Sequence, residues 1–334
     1  VIKSEEIRAV FISRTDNIGD VILTLPLVFE ARFMFKEAAI NFYVNEKIEP
    51  LLDGIGININ VVHESSGQSL AEKKEYLREL RTDLAIFAKP EFDLALIFYL
   101  LKTRYRAGTA YRWFSFLYNL RVKEHRKYAD KHESVYNLNL LRELTGTKSS
   151  FKLPERLLGY SESESSQLEN KLEQLGLKKQ DKFLIIHPGS RGSAKDITLE
   201  QLREIGSKLL AEYPGFKIVY TGLKEEKEKV LSSIPADFSD RTPDLSGKLS
   251  LRELMILIDK SELFISNSTG PAHIAGALNK NVIGFYPNSP PMNDIRWRPL
   301  GNNTTIIKPV DGSDEMRLIK PDDVIASAGK YLKQ

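Results

Sequence analysis

The stretch "AVFISRTDNIGDVILTLP", residues 9–26, decides the fold. A β-branched and aromatic run, "AVFIS", breaks into the polar "RTDNIG" and then into an apolar segment that reads as a helix from Asp20 to about Lys36. Strand, tight loop and helix make the unit of a parallel sheet, whose ligands gather where strand ends meet helix starts. Gly19 gives the backbone room to turn, and Asp20 then stands at or next to the helix N-cap. A carboxylate there has two readings: a cap worth roughly 1 kcal/mol, or a group held in place to take a proton.

The same alternation runs along the whole chain, so the fold class is α/β, read twice. Strands are expected at 7–13, 39–44, 58–63, 83–88 and 104–108, then at 182–187, 216–222, 262–267, 281–287 and 304–309. In the second half, helices are expected near 198–213, 224–234, 250–260, 271–279 and 321–333. At 334 residues the chain exceeds what one hydrophobic core usually fills, and the polar stretch 159–182 starts like a linker before a charged helix ending at Gly176. The expected domains are residues 1–160 and 161–320, with a closing helix, 321–334, that returns to the first domain.

Composition narrows the chemistry. There is no cysteine, which excludes disulfides, thiolate zinc and a cysteine nucleophile and fits a reducing cytoplasm. No apolar run approaches the roughly 18 residues of a membrane span, and the N-terminus lacks a secretory pattern, so a cytoplasmic location is expected. A formal charge of +3 is too small to argue for nucleic acid.

Two further strand–loop–helix junctions carry polar loops. In "IIHPGSRGSAKDIT", 185–198, Gly189, Ser190, Gly192 and Ser193 can bring N–H groups and hydroxyls to an anion, and Lys195 adds a positive charge. The spacing is neither that of a P-loop nor of a dinucleotide fingerprint, and an ordinary polar turn competes. In "ISNSTGPAHIAGAL", 265–278, Pro271 suits a first helical turn and Gly270 permits close approach. Ser268, Thr269 and the free N–H groups of that helix start could hold a diphosphate, while His273 faces either ligand or core. The basic stretch 102–128 interleaves Arg112, Arg121 and Arg126 with Tyr111, Trp113, Phe116 and Tyr118. It suits single-stranded nucleic acid stacked on its rings, a charged glycolipid at a membrane face, or a solvated basic face over core aromatics, and no RNA-binding signature accompanies it.

Taken together, "NIGDVILTLPLV", "HPGS" with its following lysine, "DLSGKLSLRELMILI" and "SNSTGPAHIAGALNKNVIGFY" resemble glycosyltransferase family 9, the lipopolysaccharide heptosyltransferases. The resemblance implies two facing Rossmann-like domains, acceptor on the first and ADP-sugar on the second, and inverting transfer without metal or other cofactor. It implies Asp20 as general base and Lys195 near the donor phosphates. It also implies Thr269, Gly270 and His273 at the diphosphate or sugar; the reading of the loops adds Gly189, Ser190 and Ser268 on the donor side, and that of the basic stretch adds Arg112, Arg121 and Arg126 toward the acceptor. The implied partners are a nucleotide-sugar and a glycolipid or glycan, at the inner membrane face and without nucleic acid. One residue departs from the pattern: Ser268 stands where many members have aspartate in "NDTG", which points to a different donor sugar. An epimerase or hydrolase of nucleotide-sugars, or a non-catalytic homologue that binds them, is the alternative.

Overall fold

Every residue of β1 (Ala9–Arg14) is buried, and a strand with no exposed face needs neighbours on both sides and cover on both faces. The computed structural model describes residues 2–64, 67–146, 150–190, 192 and 194–332. Within it β1 lies between two parallel neighbours, β2 (Ala39–Asn45) and, later in the chain, β4 (Leu84–Phe87). With β3 (Asn60–Glu64), β5 (Tyr105–Thr109) and β6 (Leu120–Val122) they form one parallel sheet ordered β3-β2-β1-β4-β5-β6. Five helices accompany it: α1 (Ile18–Ile22), α2 (Leu25–Met34), α3 (Leu70–Arg78), α4 (Phe92–Leu100) and α5 (Glu133–Thr145).

The helix expected from Asp20 to Lys36 is two helices. Pro26, in the first turn of α2, has no N–H to continue the ladder and crowds the carbonyl four residues back. Asn137 on α5 makes the break tolerable: its Nδ2 donates to Leu23 O at 3.1 Å and to Thr24 Oγ1 at 3.0 Å.

The chain divides into two compact units at Pro154/Glu155, against the expected 160. The second unit holds α6 (Glu162–Gln174), β7 (Lys182–His187), α7 (Leu199–Glu212), β8 (Phe216–Tyr220), α8 (Lys227–Ser232) and α9 (Leu251–Lys260). It continues with β9 (Phe264–Asn267), α10 (Gly270–Ala277), β10 (Val282–Phe285), α11 (Asp294–Trp297), β11 (Thr304–Ile307) and α12 (Pro321–Ala328). Its sheet, ordered β11-β10-β9-β7-β8, is also parallel throughout. The closing helix, α12, packs on α7, β10 and β11, with Val324, Ile325 and Ala328 in the second unit's core.

All ten expected strands are present, and β6 is added inside the basic stretch. Both sheets have a point where successive strands depart in opposite directions: between β1 and β4 in the first, between β7 and β9 in the second. Crevices at the carboxyl ends of such strand pairs are where open α/β sheets bind ligands. Among the described residues no helix is long and apolar enough to cross a membrane.

Candidate functional site

The first unit's switch point is built on a buried cation. Arg14, last residue of β1 and only 4% exposed, donates through Nε to Asp16 Oδ1 at 2.7 Å and through Nη1 to Ala88 O at 3.2 Å and Glu133 Oε1 at 3.0 Å. Its Nη2 donates to Asp20 Oδ1. Burial works against the guanidinium's charge, but Asp20, Asp16 and Glu133 outweigh it and hold Arg14 firmly protonated. Burial also pushes the Asp16 carboxyl up, with Arg14 opposing and the charge of Asp20 adding to it. From the β4 side, Lys89 Nζ meets Thr15 Oγ1 at 2.9 Å and Glu91 at 2.8 Å, and Thr15 in turn donates to Glu91 at 2.9 Å.

Asp20 does not cap its helix. Asn17 is the N-cap residue and Asp20 the third residue of α1, its side chain turned to Arg14. Gly19 lies buried inside the helix and does not adopt a left-handed backbone. The Asp20 side chain keeps 13% of its surface exposed, and its Oδ2 accepts no hydrogen bond among the described residues. One carboxylate oxygen is therefore fixed, and the other carries no hydrogen bond from the described residues.

In the second unit the carboxyl ends of β7 and β9 are joined by one side chain. Asn267, fully buried at the end of β9, accepts from Ile197 N at 3.1 Å and donates to Pro188 O at 3.2 Å, pinning both ends of the loop after β7. Ser190 in that loop is buried, and Gly192 takes the positive φ of 76° that glycine favours. Ser193 lies outside the described residues. Gly189 makes room for Glu226: a Cβ at Gly189 would lie 2.4 Å from Glu226 Oε1, so this glycine stands against an acid as well as facing the loop.

Thr269 caps α10 by accepting from Ala272 N at 3.4 Å, with Gly270 and Pro271 opening the helix. His273 is buried in the first turns of α10. The Tyr286 hydroxyl, close to Ser268, donates to Trp297 O at 2.9 Å. Lys195, about half exposed, pairs with Asp314 at 2.9 Å. Asp314 Oδ1 also accepts from Asn288 N and Ser289 N, both at 2.9 Å, so Lys195 is tied to the loop after β10. That lysine holds the Asp314 carboxyl below its usual range.

The three arginines of the basic stretch separate. Arg112 and Arg121 are exposed and carry no ion pair among the described residues, whereas Arg126 is drawn inward to Glu133. Sequence reasoning missed Arg14, Glu133, Asn267 and Asp314. Only Arg14 and Asn267 left a signal, each closing a largely apolar strand directly after a serine.

The model of glycosyltransferase family 9 (heptosyltransferase) matches residues 71–318. The chain belongs to that family. It is a glycosyltransferase, and its match takes in β4–β6 and nearly all of the second unit, while Asp20 precedes it. A Haemophilus influenzae protein provisionally named a glycosyltransferase is 30% identical over 69% of this chain and 68% of its own length. Two solved structures share the fold. The family 9 glycosyl transferase of Veillonella parvula superposes with a TM-score of 0.82 at 19% identity, covering 97% of each chain. Escherichia coli ADP-heptose lipopolysaccharide heptosyltransferase II gives 0.80 at 22% identity, covering 97% of this chain and 98% of that one.

Two expectations follow from the second switch point. Asn267→Ala strands a buried N–H and a buried carbonyl, so urea denaturation should show a loss of about 2 kcal/mol or more. His187, ending β7 beside Thr221 Oγ1 at 2.9 Å, is pushed down to about 4 by burial, with Lys229 adding to the effect. Its folded value lies below the unfolded one near 6.5, so protons favour the unfolded chain and stability falls as pH drops from 6.5 toward 4. About 2 kcal/mol should disappear between pH 7 and pH 5. His187→Gln should flatten that slope, and an unaltered slope would assign the acid sensitivity elsewhere.

Proposed function

We propose that the chain is an inverting transferase that moves a heptose or related sugar from an ADP-sugar to a lipopolysaccharide core or similar surface glycan. The observation that carries this reading is Asp20, with one oxygen fixed by Arg14 and the other unbonded at the first unit's switch point. The family description and the E. coli relative, named for ADP-heptose and lipopolysaccharide, support the choice of donor and acceptor.

In the proposed reaction Asp20 takes the proton of an acceptor hydroxyl as that oxygen attacks the anomeric carbon. The bond from this carbon to the diphosphate breaks, and ADP leaves with the electron pair. Negative charge then gathers on the departing phosphates. Lys195 and the N–H groups at the start of α10 can stabilise that charge as fixed dipoles and a point charge, without a metal. Gly189, Ser190, Ser268, Thr269, Gly270 and His273 line this donor side in the reading. Ser268 occupies the position where many members of the family have aspartate, which is why a donor other than heptose stays within the proposal.

The acceptor side belongs to the basic, aromatic stretch of the first unit. Trp113 is 73% exposed and stacks on Phe92 at 4.9 Å, while Phe116 and Tyr128 are 66% and 60% exposed. Amphipathic rings beside Arg112, Arg121 and Lys123 suit the headgroup level of an anionic leaflet, so peripheral membrane association is part of the reading.

Asp20→Asn should retain ADP binding and lose transfer by a factor of about 10² to 10⁴, the usual worth of a general base. Full transfer by that variant would remove Asp20 from the chemistry. Release of free sugar without any acceptor would favour hydrolysis. Replacing Arg112, Arg121 and Trp113 together should weaken sedimentation with anionic liposomes and leave ADP affinity in place; equal loss of both would indicate misfolding.

A further inference from the structure

Glu133 opens α5, and none of its side chain is exposed. A glutamate in a first helical turn complements the helix dipole by roughly 0.3–1 kcal/mol when solvated. Removing its charge from water costs several kcal/mol. Dipole complementarity does not account for its burial, so the bonds it makes must.

Its Oε1 accepts from Arg14 Nη1 at 3.0 Å and from Arg126 Nη1. Arg14 is thereby oriented by Glu133 and Ala88 O on one edge of the guanidinium, which leaves Nη2 aimed at Asp20. Arg126 is 24% exposed, its guanidinium 5.7 Å from the Tyr136 ring centre. The bonds form a line, Arg126, Glu133, Arg14, Asp20, whose two middle members are buried and whose two ends reach the surface.

We propose that Glu133 is a positioning residue for the transfer base, coupling Arg126 at the surface to the hold of Arg14 on Asp20. The proposal rests on the reading of Asp20 given above. Glu133 divides its negative charge between two cations. An anionic group of an acceptor, a phosphate or carboxylate, that engages Arg126 competes for one of them and leaves more of that charge facing Arg14. The field of Arg14 at Asp20 then weakens, and Asp20 becomes a stronger base when the acceptor is in place.

The groups that face Asp20 set the sign. Arg14 approaches from β1, Asp16 from the following loop, and Glu133 with Arg126 from α5 and the turn before it. Lys89 and Glu91, from the loop after β4, are paired with each other at 2.8 Å and largely cancel. Neutralising Glu133 removes a negative charge and favours ionised Asp20. Neutralising Arg126 removes a positive one and does the reverse.

The test is a carbon-13 titration of the aspartate carboxyls, with the Asp20 signal assigned by its absence in Asp20→Asn. Glu133→Gln should lower the Asp20 midpoint by about one pH unit, and Arg126→Gln should raise it by a smaller amount. Inorganic phosphate should raise the midpoint in the unaltered chain and have no effect in Arg126→Gln. Shifts of the same sign in both variants, as general loosening would produce, would overturn the proposal, as would midpoints that do not move. Should Glu133→Gln fail to fold, as judged by circular dichroism, Arg126→Gln and the phosphate titration decide alone. The titration uses neither donor nor acceptor. An inactive chain therefore leaves the coupling standing, and an unmoved midpoint leaves the transferase reading standing.

Discussion

A guanidinium with almost no access to water, Arg14, is the constraint on which the first unit's site depends. Taking such a charge out of solvent is costly, and its attraction to a single carboxylate seldom offsets that cost. Here three carboxylates and one backbone carbonyl surround it, and each comes from a different segment of the fold. Ala88 O ties the end of β1 to the end of β4, Glu133 adds α5, and Asp16 and Asp20 hold the loop and first turn between β1 and α1. With three carboxylates around one guanidinium, the loss of any one still leaves Arg14 a counter-charge, so the cluster holds the buried cation from several segments at once. The same bonds that stabilise the loop also fix the direction of Asp20, so the fold and the proposed chemistry rest on one interaction.

The second unit reaches a similar result by neutral means. At its switch point Asn267 offers one acceptor and one donor, both used on the backbone of the loop after β7. The difference suits the two tasks proposed for the units. A residue that must take a proton benefits from surplus negative charge, and the first site has Asp16, Asp20 and Glu133 against Arg14 and Arg126. A pocket for a diphosphate cannot carry such a surplus. It is therefore framed by an amide side chain and a helix start, with its cation, Lys195, supplied from the rim. The acids close to this frame are engaged: Glu226, against Gly189, accepts from Leu223 N at 3.2 Å, and Asp196, beside Ile197, pairs with Lys229 at 2.9 Å.

Much of this architecture could be read from the chain. Parallel strands buried on both faces leave continuous β-branched and aromatic runs, so ten strands stood out from pattern alone. The strand β6 did not, because its three residues, Leu120–Val122, are shorter than any periodicity and lie among basic residues. The break between α1 and α2 was signalled by Pro26 yet required Asn137, 113 residues from Thr24, to become tolerable. The site was legible as loops and not as bonds. Asp20 could be singled out, but its partner Arg14 reads as the start of a polar loop. Glu133 reads as ordinary dipole complementarity and lies 119 residues from Arg14. Asn267 and the loop it pins are 70 residues apart at Ile197. A contact that only the completed sheet creates leaves no local periodicity to find.

The pairing of Lys195 with Asp314 looks at first like an obstacle to the role proposed for that lysine, since a cation already engaged is not free to meet phosphate. Exposure decides otherwise. The lysine side chain is 47% exposed, and pairs of this kind contribute only about 0–1 kcal/mol because water screens both charges. Asp314 would not be stranded by the exchange either, because Asn288 N and Ser289 N already satisfy its Oδ1. A diphosphate carries more charge than one carboxylate and would meet the α10 helix start as well, so it can outcompete Asp314 for Lys195. On the proposed reading, the aspartate would keep the lysine extended toward the loop after β10 until a donor took its place, and would then remain as a fixed wall of that loop. A buried pair in the same place, like the one that holds Asp20, could not be exchanged so cheaply. Buried charge would thus serve where a group has to stay still, and exposed charge where one has to change partners.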